Sequence, residues 1–374
     1  MTDPADLRRQ LAAVVPVDDP AWRAALETVP RELFIGDGLF HFDGCQWDPV
    51  HRDQTDLDEW LRLVYQDTTW VTQVDGTGAA DAPGPVTGRP TSSSTLPSLI
   101  VRMLDLAQIS EGDKVLEIGT GTGYSTAILC ARLGDKNVYS IEYDPGLSAT
   151  AADHIHAAGY HPTLITGDGL AGHKDGAEYD AIIATCAVRH IPPAWLYQVR
   201  VGGTITTTIS GWMLASGLVR LTVQDDGTAT GRFHGDQISY MLARPHERPP
   251  RPTFHQHLGQ SRPTRVNPAL LEDWTGQFLA QLAAPSAELM TTSTGVILVD
   301  VATGSQAWTE PAGGGWTVHQ HGPLNLWDQV EETLTVWQDA GSHPLSDLGL
   351  TVDPDGTQRV WLGTPDGRSW NLPV

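Results

Sequence analysis

Lys114-Val115-Leu116-Glu117-Ile118-Gly119-Thr120-Gly121-Thr122-Gly123-Tyr124 reads as a short apolar strand, an acid, glycines at every second position and the start of a helix. Glycine has no Cβ, so Gly119, Gly121 and Gly123 permit a tight turn and let a ligand approach the backbone closely. A second apolar segment, Val138 to Ile141, ends in Glu142. An acid at the end of the second strand of such a unit can accept both hydroxyls of a ribose. Strand, glycine turn, helix, strand and acid together make a nucleoside-binding layout.

The spacing narrows the ligand. A dinucleotide site reads G-x-G-x-x-G and aims a helix N-terminus at a pyrophosphate. Here the pattern is E-x-G-x-G-x-G, and an acid at Glu117 repels phosphate and suits a cation. S-adenosylmethionine carries an ammonium, a sulfonium and no phosphate, so it is the expected cofactor. After a third apolar segment, Pro162 to Ile165, comes Thr166-Gly167-Asp168-Gly169. Asp168 is placed to receive the adenine amino group, and Gly169 lets the base lie flat. The expected cofactor residues are Glu117, Gly119, Thr120, Gly121, Gly123, Tyr124, Glu142, Tyr143, Asp168 and Gly169.

Working outward, strands are expected at 114–118, 138–141, 162–166, 180–185 and 203–209. Helices are expected near 97–107, 124–133, 146–158 and 193–200. This alternation predicts an α/β fold with a doubly wound, mostly parallel, Rossmann-like sheet. Segments 217–224 and 236–243, flanking Asp225-Asp226-Gly227, predict an antiparallel hairpin at its edge. Residues 1–88 read as an N-terminal helical and loop region that ends in a flexible stretch, Gly76 to Gly88. Residues 89–244 form the cofactor-binding domain. Pro245-His246-Glu247-Arg248-Pro249-Pro250-Arg251-Pro252 reads as a linker. It opens a separate α+β C-terminal domain, 245–374, with strands at 295–301 and 358–363. That region holds seven of the thirteen tryptophans. Its helix Leu326 to Trp337 gathers Leu326, Trp327, Val330, Leu334 and Trp337 on one face. So many tryptophans imply a core of its own and not an exposed aromatic patch.

Composition restricts the partners. The chain has 374 residues and a net charge of -22, from 45 acids against 23 bases. Only Lys114, Lys136 and Lys174 are lysines, and no Lys or Arg lies between Arg265 and Arg359. Such a surface repels phosphate backbones and anionic lipid, so neither nucleic acid nor membrane is an expected partner. Cys45, Cys130 and Cys186 are too scattered for a disulfide framework or a metal site, which points to a reducing, cytoplasmic setting. The N-terminus shows no basic and apolar signal-peptide pattern, and no apolar run approaches the length of a membrane span.

Several motifs together resemble the protein-L-isoaspartate O-methyltransferases, over roughly residues 20–244. They are Val29-Pro30-Arg31-Glu32-Leu33-Phe34, Tyr65-Gln66-Asp67, the loop Val115 to Tyr124, Tyr139-Ser140-Ile141-Glu142 and Gly167-Asp168-Gly169. Glu178-Tyr179-Asp180-Ala181-Ile182-Ile183 and Gln198 to Gly203 also match. The resemblance implies a substrate loop of the form Thr-Ile-Ser-x-Pro before the helix that leads to the cofactor strand. This chain departs from it with Ser93-Ser94-Thr95-Leu96-Pro97. The family's key serine falls on Thr95 and its isoleucine on Ser94. The implied catalytic residues are therefore Thr95, Ser94 and Ser93. Ser92 and the basic pair Arg189-His190, in a loop after the fourth strand, are candidates for substrate binding.

The altered loop and the C-terminal extension resemble a subgroup that modifies ribosomally made peptides, in lanthipeptide or ATP-grasp-ligated pathways. The resemblance implies a modified precursor peptide as partner, esterification of an aspartate and collapse of the ester to an aspartimide, sometimes hydrolysing to isoaspartate. A repair enzyme for isoaspartate and a non-catalytic peptide-binding protein are the alternatives. A carboxylate is already ionised at neutral pH, so methyl transfer to it needs positioning and water exclusion but no general base and no metal. The sequence leaves the oligomeric state open.

Overall fold

The computed structural model describes residues 3–235, 237–256 and 259–373. They divide into two compact units, Met1–Thr185 with Ala194–Thr206, and Cys186–Pro193 with Thr207–Val374. These limits differ from breaks at 88 and 244. The strands Tyr179–Val188 and Val199–Ser210 are long enough to carry the chain out of the first unit, back, and out again.

In the first unit, helices Pro4–Val14 and Pro20–Thr28 each start with proline behind an aspartate cap. Asp3 and Asp19 accept the Ala5 and Ala21 N–H groups at 2.9 and 2.8 Å. A proline at N1 lacks only an N–H that would have no helical partner anyway. The N-terminal region also contains a small sheet absent from the sequence expectation. Gly38–Phe42 pairs antiparallel with Trp47–His51, and Trp70–Val74 pairs antiparallel with Pro90–Ser94. The glycine-rich stretch 76–88 is a packed connection. Trp47 and Val86 exchange backbone hydrogen bonds of 2.8 and 2.9 Å, and the small Ala79 and Ala82 are buried with Phe40, Val71 and Val74.

The cofactor strands form the parallel part of the unit, in the order Thr163–Thr166, Val138–Glu142, Val115–Ile118, Tyr179–Val188, Val199–Ser210. Val115–Ile118 pairs parallel with both neighbours, Val115 opposite Val138 and Ala181. All four of its residues are buried, as expected of a strand covered on both faces. The chain moves outward on one side from this strand and returns to its other side. Its C-terminal end is thus the topological switch point, where open α/β sheets bind ligands. Gly119 to Gly123 lie there.

In the second unit the hairpin forms, but with an earlier return than expected. Ser216–Val223 pairs with Ala229–His234, Val223 opposite Ala229. Asp226 accepts the Thr228 N–H at 2.9 Å and Gly227 adopts φ +82°, so the turn is complete by Thr228. Of the expected arm 236–243, Asp236 lies outside the described residues, and 237–243 contains only an isolated bridge from Leu242 to Ala187. Leu348–Val352, Gln358–Leu362 and Ser369–Asn371 continue the antiparallel run. A second, antiparallel sheet has the order Gln260–Pro263, Gly315–His321, Gln306–Ala312, Gly295–Asp300, Ala287–Thr292. Helices Trp274–Ala283 and Leu326–Asp339 pack together. Leu326, Trp327, Val330, Leu334 and Trp337 are all buried, as are Trp308 and Trp361. Tryptophan therefore builds this core. No helix among the described residues is long and apolar enough to cross a membrane.

Candidate active site

The glycine turn needs its glycines. Gly119, Gly121 and Gly123 have φ of +97°, +57° and +91°, a region that side chains with a Cβ rarely enter. Gly123 also sits where a Cβ would lie 2.9 Å from Ile155 Cγ1. At Gly121 the nearest atom to the place a Cβ would take is the Ser93 carbonyl oxygen, at 3.8 Å. The cofactor turn and the serine strand therefore approach each other at Gly121, where a Cβ would be in van der Waals contact with the Ser93 carbonyl.

Glu117 does not face that space. Its side chain is completely buried and accepts hydrogen bonds from Ser125 Oγ and Thr126 Oγ1, each at 2.5 Å, and from Ser140 Oγ at 2.7 Å. Thr120 Oγ1 lies 2.7 Å from the same Ser140 hydroxyl. Glu117 thus ties its strand to the helix Tyr124–Leu133 and to Val138–Glu142, and it holds Thr120 through Ser140. Burial pushes its carboxyl above the ordinary range against these three hydrogen bonds.

Glu142 lies at the other lip. Its Oε2 accepts the Gly121 N–H at 2.8 Å and its Oε1 the Asp144 N–H at 3.0 Å. A carboxylate oxygen has more than one acceptor site, so capacity remains for hydroxyl donors. Burial raises its pKa, and the two backbone donors oppose the shift. Tyr143 is half exposed beside it. Asp168 is exposed and caps the short turn Gly169–Ala171 through the Leu170 N–H at 2.9 Å. Gly169 is packed so that a Cβ would meet Ile118 Cγ2 at 2.4 Å, and its carbonyl accepts Trp195 Nε1–H at 2.8 Å. Tyr124 has turned away from the cleft. Its buried ring packs against Phe34 at 5.6 Å, under the Arg31 guanidinium.

The run Ser92 to Thr95, read from sequence as a loop, is largely strand. Pro90–Ser94 pairs with Trp70–Val74, Ser94 opposite Trp70, because small hydroxyl residues tolerate an extended backbone beside a bulge. Pleating buries Ser92 and Ser94 and leaves Ser93 half-buried on the other side; Thr95, just past the strand, is half-buried too. Ser92 receives a 3.2 Å hydrogen bond from Thr72. Arg189 and His190 belong to the second unit. Arg189 donates to the Pro285 carbonyl at 2.9 Å and stacks 4.0 Å over Trp212. His190 packs against His246 at 4.7 Å, and burial, then Arg189, lowers its pKa. No metal-ligating cluster occurs among the described residues.

Several supporting residues carry no individual role in the sequence reading. Thr185 Oγ1 donates to the carbonyls of Gly119 and Ile118 at 2.6 and 3.2 Å, holding the turn from its own strand. Ser125 and Thr126 follow the glycine turn directly, so a hydroxyl pair one helical start from a buried acid was the available signal.

Comparison with known proteins identifies the family. The family model described as protein-L-isoaspartate(D-aspartate) O-methyltransferase matches residues 63–234. A protein-L-isoaspartate O-methyltransferase of Ignicoccus hospitalis is 33% identical over 187 residues, covering 50% of this chain and 71% of its own. One from Koribacter versatilis is 41% identical over 131 residues, covering 35% of this chain and 57% of its own. A solved protein-L-isoaspartate O-methyltransferase aligns with 97% of this chain and 100% of its own, at TM-score 0.58 and 19% identity, which shows the shared fold. The chain belongs to the protein-L-isoaspartate O-methyltransferase family, enzymes that use S-adenosylmethionine to methylate protein carboxyl groups.

Proposed function

We propose that this enzyme esterifies an aspartate side chain in a constrained, ribosomally made precursor peptide. The observation that carries the proposal is the all-hydroxyl run Ser93-Ser94-Thr95 at the end of a strand whose Ser93 carbonyl faces Gly121. The residues present fit the cofactor. Gly121 puts no side chain between the turn and the Ser93 carbonyl, Glu142 retains acceptor capacity for ribose hydroxyls, and Asp168 is exposed beside the packed Gly169. When bound, S-adenosylmethionine supplies an electrophilic methyl group on a sulfonium.

This chain's own task is placement. Ser93 and Thr95, both only partly buried, would hydrogen-bond the acceptor carboxylate and orient one oxygen for in-line attack. A hydroxyl orients without neutralising, whereas a lysine there would pair with the nucleophile and blunt it. Orientation with water excluded lowers barriers by up to about 7–11 kcal/mol in favourable cases. The peptide ester then loses methanol as the following backbone nitrogen closes a five-membered imide, a step that needs no enzyme.

Repair of isoaspartate in damaged proteins is the second reading. It is favoured by the solved family structure that aligns along nearly the whole chain, because a C-terminal unit is then no mark of peptide modification by itself. Mass spectrometry after incubation with cofactor separates the two. The proposal predicts methylation followed by methanol loss on a cyclised precursor encoded beside this gene, with an isoaspartyl test peptide poorly used. Efficient methylation of the isoaspartyl peptide, with its aspartyl twin and the precursor untouched, would establish repair instead.

A further inference from the structure

We infer that Arg31 is a positioning residue for methyl transfer, acting through Thr95; the inference rests on the role proposed for Thr95. Arg31 is fully buried. Its guanidinium donates to five backbone carbonyls. Three belong to one turn: Val64 at 2.9 Å, Gln66 at 2.5 Å and Thr68 at 2.7 Å. Two belong to the end of the serine strand: Ser94 at 3.4 Å and Thr95 at 3.3 Å. No backbone hydrogen bond could bridge these points, since all five groups are acceptors. A planar fork of fixed donors can, and a lysine's single ammonium cannot reach the same set.

The same turn grips the chain just past Thr95. Thr69 Oγ1 accepts the Leu96 N–H at 3.1 Å, and Asp67 accepts the Ser98 N–H at 2.9 Å at the start of helix Pro97–Leu106. Thr95 is therefore held by its own carbonyl from one side and by the next amide from the other. Its distance from the glycine turn is set by this clamp, because the Ser93 carbonyl two residues earlier is what faces Gly121. Burying a cation is unfavourable, and desolvation does depress the Arg31 pKa. Packing alone would be served as well by an apolar side chain of similar length. The fork is explained by the need to fix two segments at once.

A double-mutant cycle tests this. Arg31→Lys keeps the charge and loses the fork; Thr95→Ala removes the hydroxyl. With S-adenosylhomocysteine affinity by calorimetry as the check on the fold, Arg31→Lys should lower kcat on a peptide acceptor about 10–100-fold, the scale of a misplaced reacting group. In the Thr95→Ala background the same change should cost less than about threefold. Additive losses would overturn the inference while leaving Thr95 in its role. An unaffected Thr95→Ala enzyme would remove that role and the inference with it. Should Arg31→Lys fail to fold, the exposed Thr69→Val loosens the same junction. A severalfold loss of kcat that appears only while Thr95 is intact supports the clamp, and an unchanged or additive kcat overturns it.

Discussion

Glu117 in the first unit and Glu331 in the second are both buried carboxylates, yet their partners differ in kind. Glu117 is satisfied by three neutral hydroxyls and meets no cation among the described residues. Glu331 bonds Arg262 at 2.8 Å, lies 3.5 Å from Arg265 Nε, and also accepts from Thr264 Oγ1 and the Arg265 N–H. Burial raises the pKa of both. At Glu331 the Arg262, Thr264 and Arg265 donors outweigh burial and the net shift is downward, whereas at Glu117 burial wins. At Glu331 arginine more than offsets the cost of burial and holds the carboxylate charged. At Glu117 three hydroxyls leave the cost of burial uncompensated, so its carboxyl holds a proton more tightly than a free one. A lysine-poor chain with 23 basic residues uses several of them to pair buried acids, as Arg248 and Arg251 do at Glu288.

Substitutions separate the roles of these residues. The largest effect is expected at Gly121→Val, where a β-branched residue meets φ +57° and fills the space facing Ser93. Calorimetry should then detect no S-adenosylhomocysteine binding; retained binding would move the cofactor elsewhere. Thr95→Ala should follow, with kcat down about 10–100-fold at unchanged cofactor affinity. Glu117→Ala strands Ser125, Thr126 and Ser140 without their acceptor and should destabilise the chain by about 3 kcal/mol in urea melts.

The pH dependence of the two acids has opposite sign. Glu117 titrates higher folded than unfolded, so the folded state holds the extra proton and stability is lost as pH rises above the ordinary carboxyl range. Glu117→Gln should gain on the parent as pH rises above the ordinary carboxyl range, and a constant difference would contradict the shift. Glu331 titrates lower folded, so its contribution is present above that range and lost as pH falls. Glu331→Gln should therefore be most damaging at neutral pH and approach the parent in acid. The smallest effect is expected at Arg189→Ala, about 1 kcal/mol of stability from the lost Trp212 stack and Pro285 hydrogen bond. A rise of about tenfold in peptide KM would instead return Arg189 to substrate binding.

Much of the first unit is legible in sequence because its signals are local. Alternation of strands and helices, the glycine turn and Glu142 at a strand end depend on near neighbours in sequence. The tryptophan face of Leu326–Asp339 is readable for the same reason. What stays hidden depends on distant partners. Glu117 is taken by Ser140 across a strand pair, and Arg31 reaches a carbonyl 64 residues away. The hairpin returns earlier than expected because Asp226 and Gly227 close the turn at once, while the polar, glycine-containing Ala229–His234 looks unlike a strand. Hydroxyl-rich 91–95 reads as a loop because its strand character comes from pairing with Trp70–Val74.

The most direct test is the chemistry of the transferred group. Labelled methyl from S-adenosylmethionine should appear on an aspartyl or isoaspartyl carboxyl as a base-labile ester, with release of methanol, and should vanish when that residue is replaced by asparagine. Label that survives base, or that persists in the asparaginyl peptide, would contradict the account.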